Sequence, residues 1–140
     1  MHEVTVRHNF EAGHRLPHLP GKCKSLHGHS WWAHVTVAGP QLLDGMLADF
    51  GPLKQEIRGW IDTHLDHGTM LGPADPLVPL LRAHECKVHE VDGWPTVENV
   101  AVMIAAAAED MMQRLAVAPG CRVTRVRVRE THVNEATWTA

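Results

Sequence analysis

Near its N-terminus the chain gathers His14 and then the run Cys23-Lys24-Ser25-Leu26-His27-Gly28-His29. In an extended segment, side chains two apart point the same way, so His27 and His29 can present two imidazoles to one cation while Gly28 adds no bulk between them. A third imidazole from His14, on the paired end of a hairpin, completes a three-histidine shell with one position open, the arrangement typical of catalytic zinc. Two other readings stand beside it. One is surface histidines without a ligand, the other a closed site in which Cys23 is the fourth ligand. Cys23 lies between Lys22 and Lys24, whose charge favours the thiolate. Its readings are base or nucleophile, metal ligand, and inert thiol.

Further along, Asp66-His67 sets a carboxylate beside an imidazole, which fixes a tautomer and builds an acid/base relay. The plainer reading is a histidine favoured by a helix C-terminus. Glu130 falls on the apolar side of a strand with Val126 and Val128, while Val123, Arg125, Arg127 and Arg129 take the other side. If buried, it needs a ligand or cation as partner; if the strand has ended, it is solvated. Thr96 and Glu98 open a helix, where a hydroxyl cap and a carboxylate satisfy free N–H groups and the dipole. His84, Cys86 and His89 imitate a second metal site in an irregular segment without a fourth ligand. His8 reads as a packed core histidine and Cys121 as structural. The three arginines form a solvated or intersubunit stripe, with attraction of an anionic substrate as the other reading.

The elements that must position these groups follow from hydrophobic period. Residues 2–12 alternate as a half-buried strand, with His2, Val4, Val6, His8 and Phe10 on one face. A turn-rich stretch, 13–25, leads to a second strand over 31–38, making a long hairpin. Pro52, suited to a first helical position, opens a helix to about residue 65, with Leu53, Ile57, Trp60, Ile61 and Leu65 at helical spacing. Residues 68–94 read as an excursion with one short helical turn near 77–81. Thr96 caps a second helix whose stripe runs from Val97 to Leu115 and ends near Pro119-Gly120. Strands follow over 122–130 and 134–139. The order ββααββ predicts an α+β fold, an antiparallel sheet with both helices on one face.

Composition narrows the function class. The chain has 140 residues, a size that predicts a single domain over 1–140. Sixteen acids against thirteen bases leave no basic excess for a phosphate backbone, so nucleic acid is not an expected partner. No apolar run reaches the ~18 residues of a membrane span, and the alternating N-terminus has no leader pattern, so a cytoplasmic protein is expected. Three widely spaced cysteines do not make a disulfide framework.

Taken in order, Phe10-Glu11-Ala12-Gly13-His14-Arg15-Leu16-Pro17, Lys22-Cys23, Leu26-His27-Gly28-His29-Ser30, Gly45-Met46, Asp49-Phe50-Gly51, Leu53-Lys54, Leu65-Asp66-His67, Pro95-Thr96-Val97-Glu98-Asn99 and Glu130-Thr131 closely resemble the 6-pyruvoyltetrahydropterin synthase family. The short interval between Cys23 and His27 resembles the branch that makes 6-carboxytetrahydropterin. The resemblance implies the tunnelling fold, in which subunits join their sheets into a barrel, a homohexamer built from two trimers, and pterin sites between subunits. It makes His14, His27 and His29 ligands of Zn2+, Cys23 the base, Asp66 and His67 its relay partners and Glu130 the anchor of the pterin ring, with Thr96 and Glu98 as further substrate-binding candidates. The implied reaction converts 7,8-dihydroneopterin triphosphate to 6-carboxy-5,6,7,8-tetrahydropterin, acetaldehyde and triphosphate, a step towards queuosine and other 7-deazapurines. The alternatives are a 6-pyruvoyltetrahydropterin synthase, which keeps the carbon chain, and a non-catalytic zinc- or pterin-binding module. The chain departs from the family pattern at Gly13, where alanine or serine is usual, at Trp31-Trp32, at Trp138 and in the long excursion.

Overall fold

The computed structural model describes residues 1–140. Two long strands, β1 (His2–His14) and β2 (His27–Gly39), form an antiparallel hairpin paired from His2↔Gly39 to His14↔His27. Both outrun the expected strands, because the pairing continues into the histidine motif itself. Then come α1 (Phe50–His64), β3 (Gly68–Leu71), α2 (Leu77–Ala83), β4 (Val88–Glu90), α3 (Val97–Met112), β5 (Arg122–Arg129) and β6 (Glu135–Thr139). They complete one six-stranded sheet in the order β4-β3-β1-β2-β5-β6.

The α+β class holds, with two corrections. The sheet is mixed, since β3 runs parallel to both β1 and β4, and the short helical turn expected near 77–81 is a full helix, α2, which makes three helices beside the strands. Both differences lie in the excursion, and its strands of four and three residues are too short to display a period in sequence. α1 starts two residues before Pro52, with the Asp49 side chain accepting from Gly51 N–H at 3.0 Å. The proline sits in the first turn, where its missing N–H costs no intrahelical bond.

One face of the sheet carries the core. Val6, Phe10, Trp31, Val35 and Val126 pack there against Leu53, Ile57 and Ile61 of α1 and Val100, Ile104, Ala108 and Met111 of α3. A bulge opposite Thr36/Val37 shifts the β2–β5 register, so Val123 turns into the core instead of joining the arginine side. The same core face, followed to one end, reaches His14, His29 and Glu130.

Candidate functional site

The last rung of the β1–β2 ladder places His14 opposite His27, and His29 lies two residues along the same face. The three side chains bring one nitrogen each to within 4.8 Å of one another. His14 is 1% exposed. Its Nδ1–H donates to the Pro95 carbonyl at 2.8 Å, and its edge packs against Trp31, whose indole N–H is held by the Ala12 carbonyl. His27 Nδ1–H donates to the Ser25 carbonyl at 2.6 Å. Each bond fixes a tautomer and turns Nε2 towards the cluster, as the outer partners of metal-bound histidines do.

The residues present fit a cation. His14 Nε2 is buried without a hydrogen-bond partner, an arrangement that folded proteins avoid unless a ligand satisfies it. Glu130 Oε1 lies 3.0 Å from that atom, within ion-pair range, and 3.6 Å from His29 Nε2. The His14 imidazole beside it holds the Glu130 carboxyl below its usual range, with help from His29 and His27 and against the cost of partial burial. Burial pushes His29 down; Glu130 opposes this, and His14 and His27 add to it. Of the two readings of Glu130, the structure has the half-buried one, on the core side and beside the imidazoles. An open three-imidazole donor set with a carboxylate at its rim suits zinc in a catalytic rather than a structural role.

Cys23 lies in a short 3-10 turn, Lys22–Lys24, that closes the loop between the strands, and its carbonyl accepts from Leu16 N–H. Its sulfur is outside the group of converging ligand atoms, so the chain by itself does not form the closed four-ligand site. His84, Cys86 and His89 form no ligand cluster either; His89 packs against Trp60 and His64.

Asp66 and His67 follow α1 and dock on β1. His67 N–H donates to the Glu11 carbonyl at 2.7 Å, and Asp66 Oδ1 accepts from Glu11 N–H at 2.9 Å. Asp66 Oδ2 takes His67 Nδ1–H at 2.7 Å, which leaves Nε2 free on a ring that is 79% exposed. The Glu11 N–H, followed by His67 and Lys87, keeps Asp66 below the usual carboxylate range. His67 adopts φ 59°, a left-handed conformation uncommon outside glycine, and its own bond and that of Asp66 to Glu11 hold it there. It therefore stands beyond the helix, whose last turn carries His64 instead. No hydrogen bond links this pair to Cys23 or the imidazole cluster within one chain.

Thr96 caps α3, its hydroxyl accepting from Asn99 N–H at 3.2 Å, and Glu98 lies in the first turn. Both follow Pro95, whose carbonyl holds His14. His8 is half-buried and bonds Asp62 of α1 at 2.9 Å, so it ties strand to helix instead of packing in the core.

Two features were not visible in the sequence. Arg15, next to His14, forms a two-pronged pair with Asp75, whose side chain is wholly buried. Asp75 also accepts from Leu77 N–H at the start of α2. His18 stacks on Trp94 with ring centres 4.8 Å apart. The excursion thus grips the loop between β1 and β2 at Arg15 and His18 and, just past its end, holds His14 through Pro95. Arg15 is thereby committed to Asp75, and Lys22 and Lys24 remain the loop's free cations.

Comparison with known proteins agrees with this geometry. Residues 3–140 match the family model described as 6-pyruvoyl tetrahydropterin synthase. The 6-carboxy-5,6,7,8-tetrahydropterin synthase of Rickettsia bellii is 31% identical over 134 residues, covering 94% of this chain and 95% of that protein. The enzyme of the same name from Synechocystis is 37% identical over 103 residues, 68% of this chain and 80% of its own. Among solved structures, an uncharacterized protein from Wolinella succinogenes superposes with a TM-score of 0.80 at 23% identity, covering 99% and 97% of the two chains. The Caenorhabditis elegans 6-pyruvoyl tetrahydropterin synthase does so with 0.69 at 26% identity, covering 100% and 97%. With three imidazoles converging at the end of a hairpin, a carboxylate at their rim and a match that runs from the first strand to the last residue, the chain belongs to the 6-pyruvoyl tetrahydropterin synthase family.

Proposed function

We propose that this chain, as a single domain over residues 1–140, is a zinc-dependent 6-carboxy-5,6,7,8-tetrahydropterin synthase. The substrate is 7,8-dihydroneopterin triphosphate, and the products are 6-carboxy-5,6,7,8-tetrahydropterin, acetaldehyde and triphosphate. The observation that carries the reading is the convergence of His14, His27 and His29 with an unpaired buried Nε2. The choice of the carboxy-forming branch is supported by relatives of that name that align over nearly the whole chain.

His14, His27 and His29 would hold the metal. Bound zinc supplies Lewis acidity to the side-chain oxygens of the substrate and so makes the adjoining C–H groups easier to deprotonate. Cys23, as thiolate, accepts a proton from carbon. His67 returns one from Nε2 while Asp66, kept ionised, holds Nδ1–H. Glu130 accepts two hydrogen bonds from the 2-amino and N3–H edge of the pterin, a charge-assisted and bidentate contact. Thr96, whose hydroxyl only accepts at its cap, keeps a proton to offer the substrate, and Glu98 lies two residues on, in the first turn of α3.

The exposed His67 ring, unconnected to Cys23, fits a site completed by the relay pair of a neighbouring subunit. Both edges of the sheet, β4 and β6, present unpaired backbone groups, which favours continuation into a copy's sheet. The assembly proposed is a homohexamer of two trimers around a barrel, in the cytoplasm, serving queuosine or other 7-deazapurine synthesis without nucleic acid or membrane partners. No helix is long and apolar enough to cross a membrane.

Incubating the zinc-loaded protein with 7,8-dihydroneopterin triphosphate and weighing every product tests the reading. Acetaldehyde in step with 6-carboxytetrahydropterin is expected. A pyruvoyl product without acetaldehyde would overturn it in favour of the chain-retaining reaction, and zinc binding without turnover would favour a non-catalytic module.

A further inference from the structure

The site described above uses the core face of the sheet; the opposite face carries a separate arrangement. There Arg7, His34, Arg127 and Thr137 stand side by side across β1, β2, β5 and β6, and Thr5, Thr36 and Arg125 form the adjoining row. The two rows, with Glu135 of β6, line a groove of about 610 Å³ without a hydrophobic residue in its wall.

Its acceptors do not match its donors. Arg125 is paired with Glu3 at 3.1 Å. Arg7 has no carboxylate in ion-pair range and lies over the Trp32 ring at 5.8 Å. Arg127 has only a 3.9 Å approach to Glu135, which it shares with Arg129. Its Nη2 lies 3.1 Å from Nδ1 of His34. A guanidinium has only protons to give, so Nδ1 accepts and the neutral ring carries its proton on Nε2. Burial, followed by the charges of Arg127, Arg7 and Arg129, keeps that ring neutral. His34 is 8% exposed, and Nε2 has no partner. In the Thr5–Thr36 hydroxyl pair, 2.8 Å apart, one proton is shared and the other is free to donate. With Glu135 as its one carboxylate against Arg7, Arg125 and Arg127, the groove has more donors than acceptors, which calls for an oxyanion. Donors from three strands suit a tetrahedral one with several oxygens better than a planar carboxylate.

We propose that this groove is a second ligand site, separate from the three-histidine cluster, that binds a phosphoryl oxyanion through Arg7, Arg127 and the Thr5–Thr36 hydroxyls. The inference does not depend on the reaction proposed above. It is tested by calorimetric titration of the full chain with inorganic phosphate at low ionic strength, for the parent and for Arg7→Gln, Arg127→Gln and Arg127→Lys. Saturable binding is expected, weakened about tenfold or more by each glutamine, as loss of a charge-assisted contact implies, and less by the lysine, which keeps charge but not the fork. Circular dichroism checks that each variant is folded, and Arg7→Gln decides if Arg127→Gln is not. Removing metal with a chelator should leave phosphate affinity unchanged. The proposal is overturned if the parent shows no saturable binding, if folded Arg7→Gln binds as the parent does, or if affinity is lost with the metal, which would put the anion at the histidines. It is equally overturned if the variants change only the sedimentation of the assembly, because the arginines then face another copy of the chain.

Discussion

Asp75→Ala tests how the loop between β1 and β2 is held in place. The Asp75 side chain is fully buried and its partner Arg15 keeps 20% of its side chain exposed. Removing one member of a buried pair costs about 3–5 kcal/mol. Arg15 reaches water in part, which moves the expectation to the lower end, and losing the acceptor for Leu77 N–H adds about 1 kcal/mol. The sum is about 4 kcal/mol. With an unfolding entropy near 2.1 cal/mol/K per residue, that is a fall in Tm of about 10–15 °C for a chain of this length. Urea and thermal unfolding by circular dichroism measure it, at one fixed zinc concentration and again with chelator, since a bound metal raises apparent stability. The exposed pair Arg82–Glu90 supplies the control, and Glu90→Ala should cost less than about 1 kcal/mol. Acidity adds an independent arm. Arg15, and then Leu77 N–H, hold Asp75 below its ordinary value of 3.8, so its contribution is complete above that value and is lost as pH falls through the lower, folded value. The gap between parent and variant should therefore stay constant near neutrality and close only below about pH 4. If Asp75→Ala costs no more than Glu90→Ala, the clamp reading is refuted.

Cys23→Ala should retain zinc by metal analysis and lose turnover; loss of the metal would make Cys23 a ligand. Mixing Cys23→Ala subunits with His67→Ala subunits under conditions of exchange should restore part of the activity that each lacks, whereas a site contained in one chain would stay dead. Gly13→Ala should be neutral or stabilise by up to about 1 kcal/mol in a melt, because a Cβ there meets nothing closer than 3.4 Å. Gly72→Ala should destabilise by about 1–3 kcal/mol, because its Cβ would fall 2.6 Å from the Gly93 carbonyl and 2.8 Å from the Trp94 ring.

The parts of this fold that could be read from the residues are those with a long period or a local cap. The β1 alternation, the α3 stripe and its Thr96 cap each carry enough residues to repeat a pattern, and His27-Gly28-His29 needs only the two-residue period of one strand. Glu130 was visible because it interrupts an apolar face. β3 and β4 were not visible, since so few residues show no alternation and their parallel pairing depends on partners far away in sequence. Val123 faces the core against the expected alternation because a bulge resets the period midway along β5. Arg15–Asp75 and the Pro95 carbonyl were invisible for a related reason: the first joins residues separated by sixty positions, and the second is a backbone atom with no side-chain signature.

The placement of His14 opposite His27 also has a mechanical meaning. Theirs is the terminal rung of a thirteen-pair ladder, at the mouth of the loop that holds Cys23. A cation gripped there acts as a clasp across two strand ends that would otherwise fray, much as a covalent cross-link removes the closure entropy of the loop it spans. Opening the Cys23 loop then requires either releasing the ion or bending the loop alone, while the hairpin behind it stays zipped to its last pair.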